Sequence, residues 1–334
     1  YQPCGSRRVA VDLGSRVHYL GVTRPTLTQT IFIMLVWATA VRCGTNPSAP
    51  EASGSATATV EPRTETAAVI SRLGSPVRAE LISDIAIVQP GEIFRLGVLL
   101  TLQPGWYVHW ANPGGSGEPV SIDLRLPSGF EAGSLRWPIP VQFEQPNGTI
   151  GYGYQDEVLL YAEVRASNRD VDDGEMWLLM ADVRWLACER ECVPGHSTLE
   201  LSLPGSISGT RLVDLINAPR VEAWLSRVPV DAGSPSTPFT ATLSRGGPEE
   251  IVLLLSWRLA PSNVQWFPSS TTADAVPISD LDGTGRRTRI VLLAPTVDDA
   301  FDLRIIDGVV AYTDAAGERH AAELSVAVDG LSKP

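Results

Sequence analysis

From residue 77 onward the chain alternates apolar and polar residues over short stretches, and turn residues separate one stretch from the next. The segment 79–88 has the alternation of a half-buried strand, and Pro90-Gly91 after it marks a turn. We predict further strands at 93–102, 106–110, 122–126, 158–164, 177–186 and 198–203. Regular short strands without long helical periods favour an antiparallel β-sandwich, which we assign to residues 76–204.

The pattern changes after Leu203-Pro204-Gly205, where the spacing of apolar residues is compatible with helices at 210–216 and 221–228. Strand patterning resumes at 239–243, 250–258, 264–267, 289–293, 301–308 and 324–328. We therefore predict a short helical connector at 205–232 and a second, smaller β domain at 233–334, so that the fold class is all-β.

The N-terminal part has the order of a secretory signal. Arg16 and Arg24 precede an apolar run at 31–40, which ends in the small-residue site Ala38-Thr39-Ala40. The run is too short for a comfortable transmembrane span of about 20 residues. We assign residues 1–40 to a leader and signal region with cleavage after Ala40, which predicts a periplasmic or otherwise exported protein.

Residues 41–75 are rich in Ala, Ser, Thr, Pro and Glu and have little apolar periodicity. Such a segment cannot bury enough surface to offset its ordering entropy, so we predict a disordered linker. Cys43 leaves a second hypothesis, a lipoprotein anchored through an acylated cysteine, although Arg42 before it is a poor fit. Under this second hypothesis, the acylated Cys43 would be the one contact of the protein with a membrane.

Composition and charge narrow the choice of partners. The 334 residues are 44% hydrophobic, enough for real cores, while 29 Gly and 26 Pro argue against a helical bundle. The net charge of −12 argues against nucleic acid as a partner, because phosphate binding needs a basic face. The glycine-rich run at 114–117 lacks the lysine of a phosphate-binding loop, and no cofactor is predicted.

Cys188 and Cys192 carry the candidate chemistry. Strands are predicted on both sides of them, so a three-residue loop at Glu189-Arg190-Glu191 would place the cysteines opposite each other in a hairpin. Opposed residues have Cα atoms about 4.5–5.5 Å apart, within the range that a disulfide tolerates. A bridge over so short a loop removes little entropy from the unfolded chain, so reversible thiol chemistry is favoured over a permanent clip.

Two alternatives stay open on spacing alone. A permanent bridge would suit a non-enzymatic binding or scaffold protein. Cys188, Cys192 and His196 also form a C-x3-C-x3-H pattern, and two thiolates with one imidazole suit copper(I) or zinc. Pro194-Gly195 breaks any helix that would align these three residues, and a fourth ligand is not apparent, so no metal is assigned as the main hypothesis.

Several separated motifs occur in the order of a known family. They are Gly105-Trp-Tyr-Val-His-Trp-Ala-Asn-Pro-Gly-Gly-Ser-Gly117, Trp137-Pro138, Gly151-Tyr152, Val158-Leu-Leu160 and Trp185-Leu-Ala-Cys188-x3-Cys192-Val-Pro194. Together they resemble the N-terminal periplasmic domain of the thiol:disulfide interchange protein DsbD. The likeness is to the variant in ScsB-like proteins, where tryptophan precedes a C-x3-C pair.

The resemblance implies an immunoglobulin-like sandwich in which Cys188 and Cys192 form a redox couple, with Cys192 favoured for the mixed disulfide. It also implies a loop that shields the cysteines, for which we name Asn112, Pro113, Gly114 and Gly115. The implied partners are periplasmic thiol and disulfide proteins. Family members continue into a membrane domain and a thioredoxin domain, whereas this sequence stops at Pro334. We therefore expect a separate membrane or thioredoxin-like electron donor.

Overall fold

Short antiparallel strands make up most of the protein, which confirms the all-β prediction. The computed structural model describes residues 75–328, except residues 147, 170–171, 173, 208, 210, 248–249, 276–277 and 294–304. The predicted signal region, the acylation site Cys43 and nearly all of the linker lie outside the described residues, as does the start of the strand predicted at 301–308.

Ten strands come from the described part of residues 77–204. They are β1 (Val77–Ser83), β2 (Ile93–Leu102), β3 (Tyr107–Gly114), β4 (Ser121–Arg125), β5 (Glu131–Ala132), β6 (Val141–Glu144), β7 (Ile150–Gln155), β8 (Glu157–Arg165), β9 (Met176–Cys188) and β10 (Cys192–Pro204). One sheet has the order β1-β2-β8-β5, and the other has the order β10-β9-β3-β7-β6 with β4 paired to β9. The two sheets form the predicted antiparallel sandwich.

The rest of the described chain adds eight strands and two helices. They are α1 (Asn217–Leu225), β11 (Val230–Asp231), β12 (Phe239–Gly247), β13 (Glu250–Trp257), β14 (Ser262–Pro268), α2 (Ser270–Ala275), β15 (Ile278–Thr284), β16 (Arg287–Leu293), β17 (Ile305–Thr313) and β18 (Arg319–Ala327). Two further sheets result, with the orders β11-β18-β17-β14 and β12-β13-β16-β15. Only β11, next to β18, has a parallel partner among the described strands.

Alternation along the strands decides which side chains form the cores. In β9, Leu179 and Val183 point inward while Arg184 stays exposed, because successive residues face opposite sides of a strand. The core of the sandwich extends beyond residues 77–204, since Phe267 and Val309 from the later strands pack into it. A second apolar cluster lies entirely within residues 239–324. The predicted domain boundaries at 204 and 232 therefore remain a prediction.

The predicted connector is only partly helical. A helix was predicted at 210–216, but Val213 instead forms an isolated antiparallel bridge with Ile85. Helix α1 begins afterwards, where the Asp214 carboxylate accepts the backbone N–H groups of Ile216 and Asn217, each at 2.8 Å. The first helix is thus wrong, because a pairing with a distant strand overrides the local spacing of apolar residues. The second predicted helix corresponds to α1.

Candidate functional site

The two cysteines close the β9–β10 hairpin. Glu189-Arg190-Glu191 form its tip, where the Glu189 N–H donates to the Glu191 carbonyl at 3.2 Å. The strand register sets Cys188 opposite Cys192, with their Cα atoms 4.1 Å apart and their sulfur atoms bonded at 2.01 Å. The predicted three-residue loop and the opposed cysteines are confirmed.

The two halves of the disulfide differ in exposure. Cys188 is only 1% exposed, whereas Cys192 is an exposed residue. Cys188 lies inside the sheet because it pairs with Tyr107 of β3 on one side and with Cys192 on the other. Cys192 begins β10, the strand at the end of the sheet order. An incoming thiolate therefore reaches the sulfur of Cys192 more easily than that of Cys188.

Aromatic side chains occupy the sheet face on which Cys188 lies. Tyr107 is directly opposite Cys188, so the two side chains share a face, and His109 follows on the same face two residues later. The ring of Tyr107 lies 4.3 Å from that of Phe143 and 5.4 Å from that of His109, centroid to centroid. We call Tyr107 and Phe143 the aromatic cover.

The Gln145 side chain joins three segments beside this cover. Its Oε1 accepts hydrogen bonds from Ser116 Oγ at 2.9 Å and from Thr149 Oγ1 at 2.6 Å. Its Nε2 donates to the Ser116 carbonyl at 2.9 Å and lies 3.1 Å from His109 Nε2. A carbonyl can only accept, so the amide orientation is determined and His109 Nε2 must accept the second bond. His109 is therefore neutral, with its proton on Nδ1.

Three glycines leave the space for this network. A Cβ at Gly117 would overlap the His109 ring, and one at Gly115 would lie 2.7 Å from Thr149 Oγ1. A Cβ at Gly151 would lie 2.7 Å from the Phe143 ring and 2.9 Å from Gln145 Nε2. The glycine-rich motifs thus allow close packing over the histidine.

Burial shifts the pKa values of the two polar rings on the sheet face of Cys188 in the direction that favours the uncharged form. It lowers the pKa of His109 below its ordinary value of 6.5, an effect that the nearby Leu186 carbonyl opposes in part. It raises the pKa of Tyr107 above its ordinary value of 10.0, with a hydrogen bond to Gln145 acting in the opposite direction. Nδ1 of His109 has no hydrogen-bond partner that meets ordinary geometry among the described residues.

Trp185 supports the hairpin from the opposite face of β9. Its indole is buried and lies against Gly195, its register partner on β10, where an added Cβ would overlap the ring. Trp185 is thus part of the core of the sandwich. Gly195 is needed here because of the close approach of the indole.

His196 does not join the cysteines in a ligand set. It pairs with Arg184 on β9, and it follows Cys192 by four residues on an extended strand. At the usual rise of a strand this separation is about 13 Å, too far for one metal ion. Among the described residues, the cysteines and His196 belong to no cluster of metal-ligand type.

The residues predicted to shield the cysteines have other described contacts. Asn112 is buried, and its Nδ2 donates to the Pro268 carbonyl at 2.8 Å while its Oδ1 accepts the Gly114 N–H at 2.9 Å. Gly114 packs against the backbone of Ile150, and Pro113 is partly exposed between its neighbours. The loop reaches the cover indirectly, through Ser116 and Gln145. Its shielding role stays a prediction.

Sequence reasoning missed Tyr107, His109, Phe143 and Gln145 as site residues. Tyr107 and His109 carried a readable signal, because they alternate along a predicted strand and so share one face. Phe143 and Gln145 carried none, since β6 and β7 were not predicted and reach the cysteines only through pairing with β3.

Comparison with known proteins agrees with this architecture. Residues 78–204 match the family described as Thiol:disulfide interchange protein DsbD, N-terminal. Over this segment the chain is similar to the N-terminal domain of DsbD. The resemblance expected from the sequence motifs is thereby confirmed for the sandwich, and the DsbD-type domain carries both cysteines. A search of curated proteins finds no match.

Among solved structures, the N-terminal periplasmic domain of ScsB from Proteus mirabilis has a TM-score of 0.53 at 17% identity, covering 75% of this chain and 92% of that one. This likeness supports the fold over both β regions. The reduced DsbD N-terminal domain of Neisseria meningitidis has a TM-score of 0.25 at 15% identity, over 37% of this chain and 86% of that one.

None of the described helices is long and apolar enough to span a membrane.

Proposed function

We propose that the protein is an exported thiol:disulfide exchange module whose Cys188–Cys192 couple passes electrons between partner proteins. The observation that carries the proposal is a disulfide with one buried and one exposed cysteine, located at a hairpin tip inside a DsbD-type domain. Its activity is that of a protein-disulfide reductase component. The electron donor is a separate thioredoxin-like protein, and the acceptors are exported disulfide proteins.

Exchange proceeds through a mixed disulfide. A thiolate of the donor attacks Sγ of Cys192, the Cys188–Cys192 bond breaks, and Cys188 leaves as a thiolate that takes up a proton. The second donor thiolate then attacks the mixed disulfide and releases Cys192, so that the donor is oxidised as the couple gains two electrons. In the next cycle, Cys192 attacks the substrate disulfide and Cys188 resolves the intermediate.

Two features support Cys192 as the attacked sulfur. It is exposed at the end of the sheet, whereas the sulfur of Cys188 belongs to a residue that is 1% exposed. After attack, the burial of Cys188 keeps its thiol close to the mixed disulfide, because the β9–β10 register holds the two Cα atoms 4.1 Å apart. The return reaction is therefore intramolecular and fast.

Trapping the mixed disulfide tests this assignment. Cys188→Ser removes the resolving thiol of this protein. With Cys192 activated as a mixed disulfide with thionitrobenzoate, which leaves on attack, a stable adduct is expected with a thioredoxin-like protein that keeps only one cysteine, because neither protein then has a thiol to resolve it. Cys192→Ser is the matched control, and it should give little adduct because Cys188 is buried. Equal trapping by both variants, or trapping through Cys188 alone, would contradict the assigned order.

A redox titration separates exchange from a permanent clip. The couple is equilibrated with glutathione or dithiothreitol buffers, and its oxidation state is read by thiol alkylation. A potential above about −300 mV with rapid exchange supports the proposal, whereas a lower one would mark a structural bridge. The same titration with copper(I) present tests the alternative of a copper-handling protein, which tight binding of copper(I) to the two reduced thiols would favour.

We also propose that the loop carrying Asn112, Pro113, Gly114 and Gly115 limits access to the couple through its link to Gln145. In Gly115→Ala the added methyl group would overlap the side chain of Thr149, whose hydroxyl donates a hydrogen bond to Gln145 Oε1. We expect this variant to raise the alkylation rate of the reduced couple. Gly133→Ala, remote from the loop and with its nearest contact at 3.5 Å, is the control. Unchanged alkylation in the first variant would remove the loop from the proposal.

A further inference from the structure

A buried polar pair, His109 and Gln145, contacts the aromatic cover and has no part in the exchange steps described above. Gln145 is 5% exposed and His109 is 1% exposed, yet each has a polar side chain. Burying such groups is costly unless they are hydrogen-bonded, so a cluster of this kind needs a reason. Gln145 alone could be explained by loop packing, because its three side-chain bonds to Ser116 and Thr149 hold neighbouring segments together.

The bond to His109 differs from the other three in one respect. Ser116 and Thr149 offer groups that do not titrate near neutral pH, whereas the His109 imidazole does. In the neutral ring, Nε2 accepts a hydrogen from Gln145. In the protonated ring, Nε2 carries its own hydrogen and faces the N–H of Gln145 across 3.1 Å. The amide cannot rotate to offer its oxygen without losing the bonds to Ser116 Oγ and Thr149 Oγ1.

Gln145 also lies at the base of the aromatic cover. It directly follows β6, whose Phe143 packs on Tyr107, and its N–H donates to the Thr149 carbonyl at 2.8 Å to close the β6–β7 loop. Tyr107 in turn lies opposite Cys188. A shift of Gln145 would thus move the segment that holds Phe143 against Tyr107, and it would loosen the packing around the buried half of the disulfide.

We propose that Gln145 and His109 are positioning residues that lock the aromatic cover over Cys188, and that protonation of His109 releases the lock. The inference deepens the proposed function, because it names a control on access to the same couple. The glycines at 117 and 151 belong to the device, since a side chain at either would occupy the space of the two rings or of Gln145.

The direction of the pH effect follows from the environment of His109. Burial favours the neutral ring in the locked form, and release restores the ordinary pKa of about 6.5. The lock is therefore complete above about pH 6.5 and weakens as the pH falls below that value. The titratable or charged groups on the elements packed around His109 do not titrate near pH 6.5. Burial raises the pKa of Tyr107 on β3 and of Tyr152 and Tyr154 on β7. Cys188 on β9 is bonded, Asp182 on β9 pairs with Arg125, and Glu118, Glu144 and Arg184 are exposed.

The test follows reduction of the disulfide by a phosphine from pH 4.5 to 8, with each rate divided by that of oxidised glutathione at the same pH. The wild-type ratio should rise about tenfold at low pH, the effect of losing one ordinary hydrogen bond on the population of the open form. Gln145→Ala should be fast at every pH. His109→Gln should be slow at every pH, because its amide oxygen accepts the bond and cannot be protonated in this range.

His196→Gln is the matched control, since His196 lies on β10 outside this network, and its profile should equal that of the wild type. A flat wild-type ratio, or a His109→Gln profile that still rises at low pH, would overturn the proposal.

If Gln145→Ala does not fold, it is replaced by His109→Phe, which lacks the hydrogen-bond acceptor and should also be reduced rapidly at every pH. A phosphine reduces the disulfide without a protein partner. Failure of the couple to exchange with thioredoxin-like proteins would therefore contradict the proposed function, but the pH dependence of phosphine reduction would still test the role of His109 and Gln145.

Discussion

Two hairpins of this protein close their tips by different means. The β9–β10 hairpin is closed by the Cys188–Cys192 disulfide around a three-residue tip. At the tip of β17–β18, the Asp314 carboxylate accepts the N–H groups of Ala316 and Glu318, each at 2.9 Å. The Asp314 N–H also donates to the Glu318 carbonyl at 2.9 Å, and Gly317 takes the positive φ of +85° that the turn requires.

The second tip also contains a side-chain hydrogen bond. His320 Nε2 lies 3.0 Å from the other oxygen of Asp314. One aspartate thus organises a tight tip in the same protein without any covalent bond. Tip closure alone does not require cysteines, and this favours chemistry as the reason for the pair at 188 and 192.

Removing the cysteines should have the largest effect on function. Cys188→Ala combined with Cys192→Ala should abolish exchange with a thioredoxin-like partner, while the free energy of unfolding falls by only about 2 kcal/mol, as expected for so short a loop. Asp314→Ala is the matched change at the other tip and should leave exchange intact. Exchange is followed by partner fluorescence and stability by urea unfolding. Residual exchange in the double variant would show that the Cys188–Cys192 pair is not the reason for the difference between the two hairpin tips.

The fit between Trp185 and Gly195 should have the next largest effect. Gly195→Ala drives a Cβ into the buried indole, and overpacking of this kind costs about 1–3 kcal/mol. Urea unfolding of the oxidised protein measures it. Gly133→Ala is the control, because its Cβ would meet its nearest heavy atom, the Glu163 carbonyl oxygen, at 3.5 Å. A cost at Gly195 no larger than at Gly133 would show that the indole does not brace the hairpin.

The smallest effect concerns the pH dependence of the other tip. The backbone N–H of Glu318, together with the His320 side chain, lowers the pKa of Asp314 below its ordinary value of 3.8. A depressed carboxyl pKa gives stability that is present above about pH 3.8 and lost as the pH falls below it. Asp314→Ala should therefore reduce the dependence of the melting temperature on pH between pH 2 and 4. An unchanged slope of melting temperature against pH in Asp314→Ala would show that other carboxyl groups cause the loss of stability in acid.

The sequence predicts the parts of this protein that depend on local patterns. The β9–β10 hairpin was readable because strand alternation flanks a three-residue gap, which brings Cys188 and Cys192 together by geometry. The core faces of β2, β8 and β9 follow from alternation or from continuous apolar runs. Local spacing was misleading at 210–216, where Val213 pairs with Ile85 instead of forming a helix turn.

The surroundings of Cys188 could not be predicted in the same way. Tyr107 reaches it through a pairing of β3 with β9, and Gln145 reaches His109 through a loop between two strands that have weak patterns. Such contacts join residues far apart in sequence, and one sequence contains no signal for their partners. The family resemblance named a shielding loop, but the contacts next to Tyr107 come from Phe143 and His109.

Phe267, from the later strands, packs into the core of the sandwich, so the two β regions are joined by buried contacts as well as by the chain between them. Its ring lies 6.1 Å from Trp110 and 5.3 Å from Tyr152, centroid to centroid, and the adjacent Pro268 carbonyl accepts the bond from Asn112. Loss of the later strands would leave a cavity at the surface of the sandwich, where Phe267 packs, and the Asn112 amide without its acceptor. The two β regions should therefore unfold in a single calorimetric transition, and the sandwich should not be separable as an independently stable fragment.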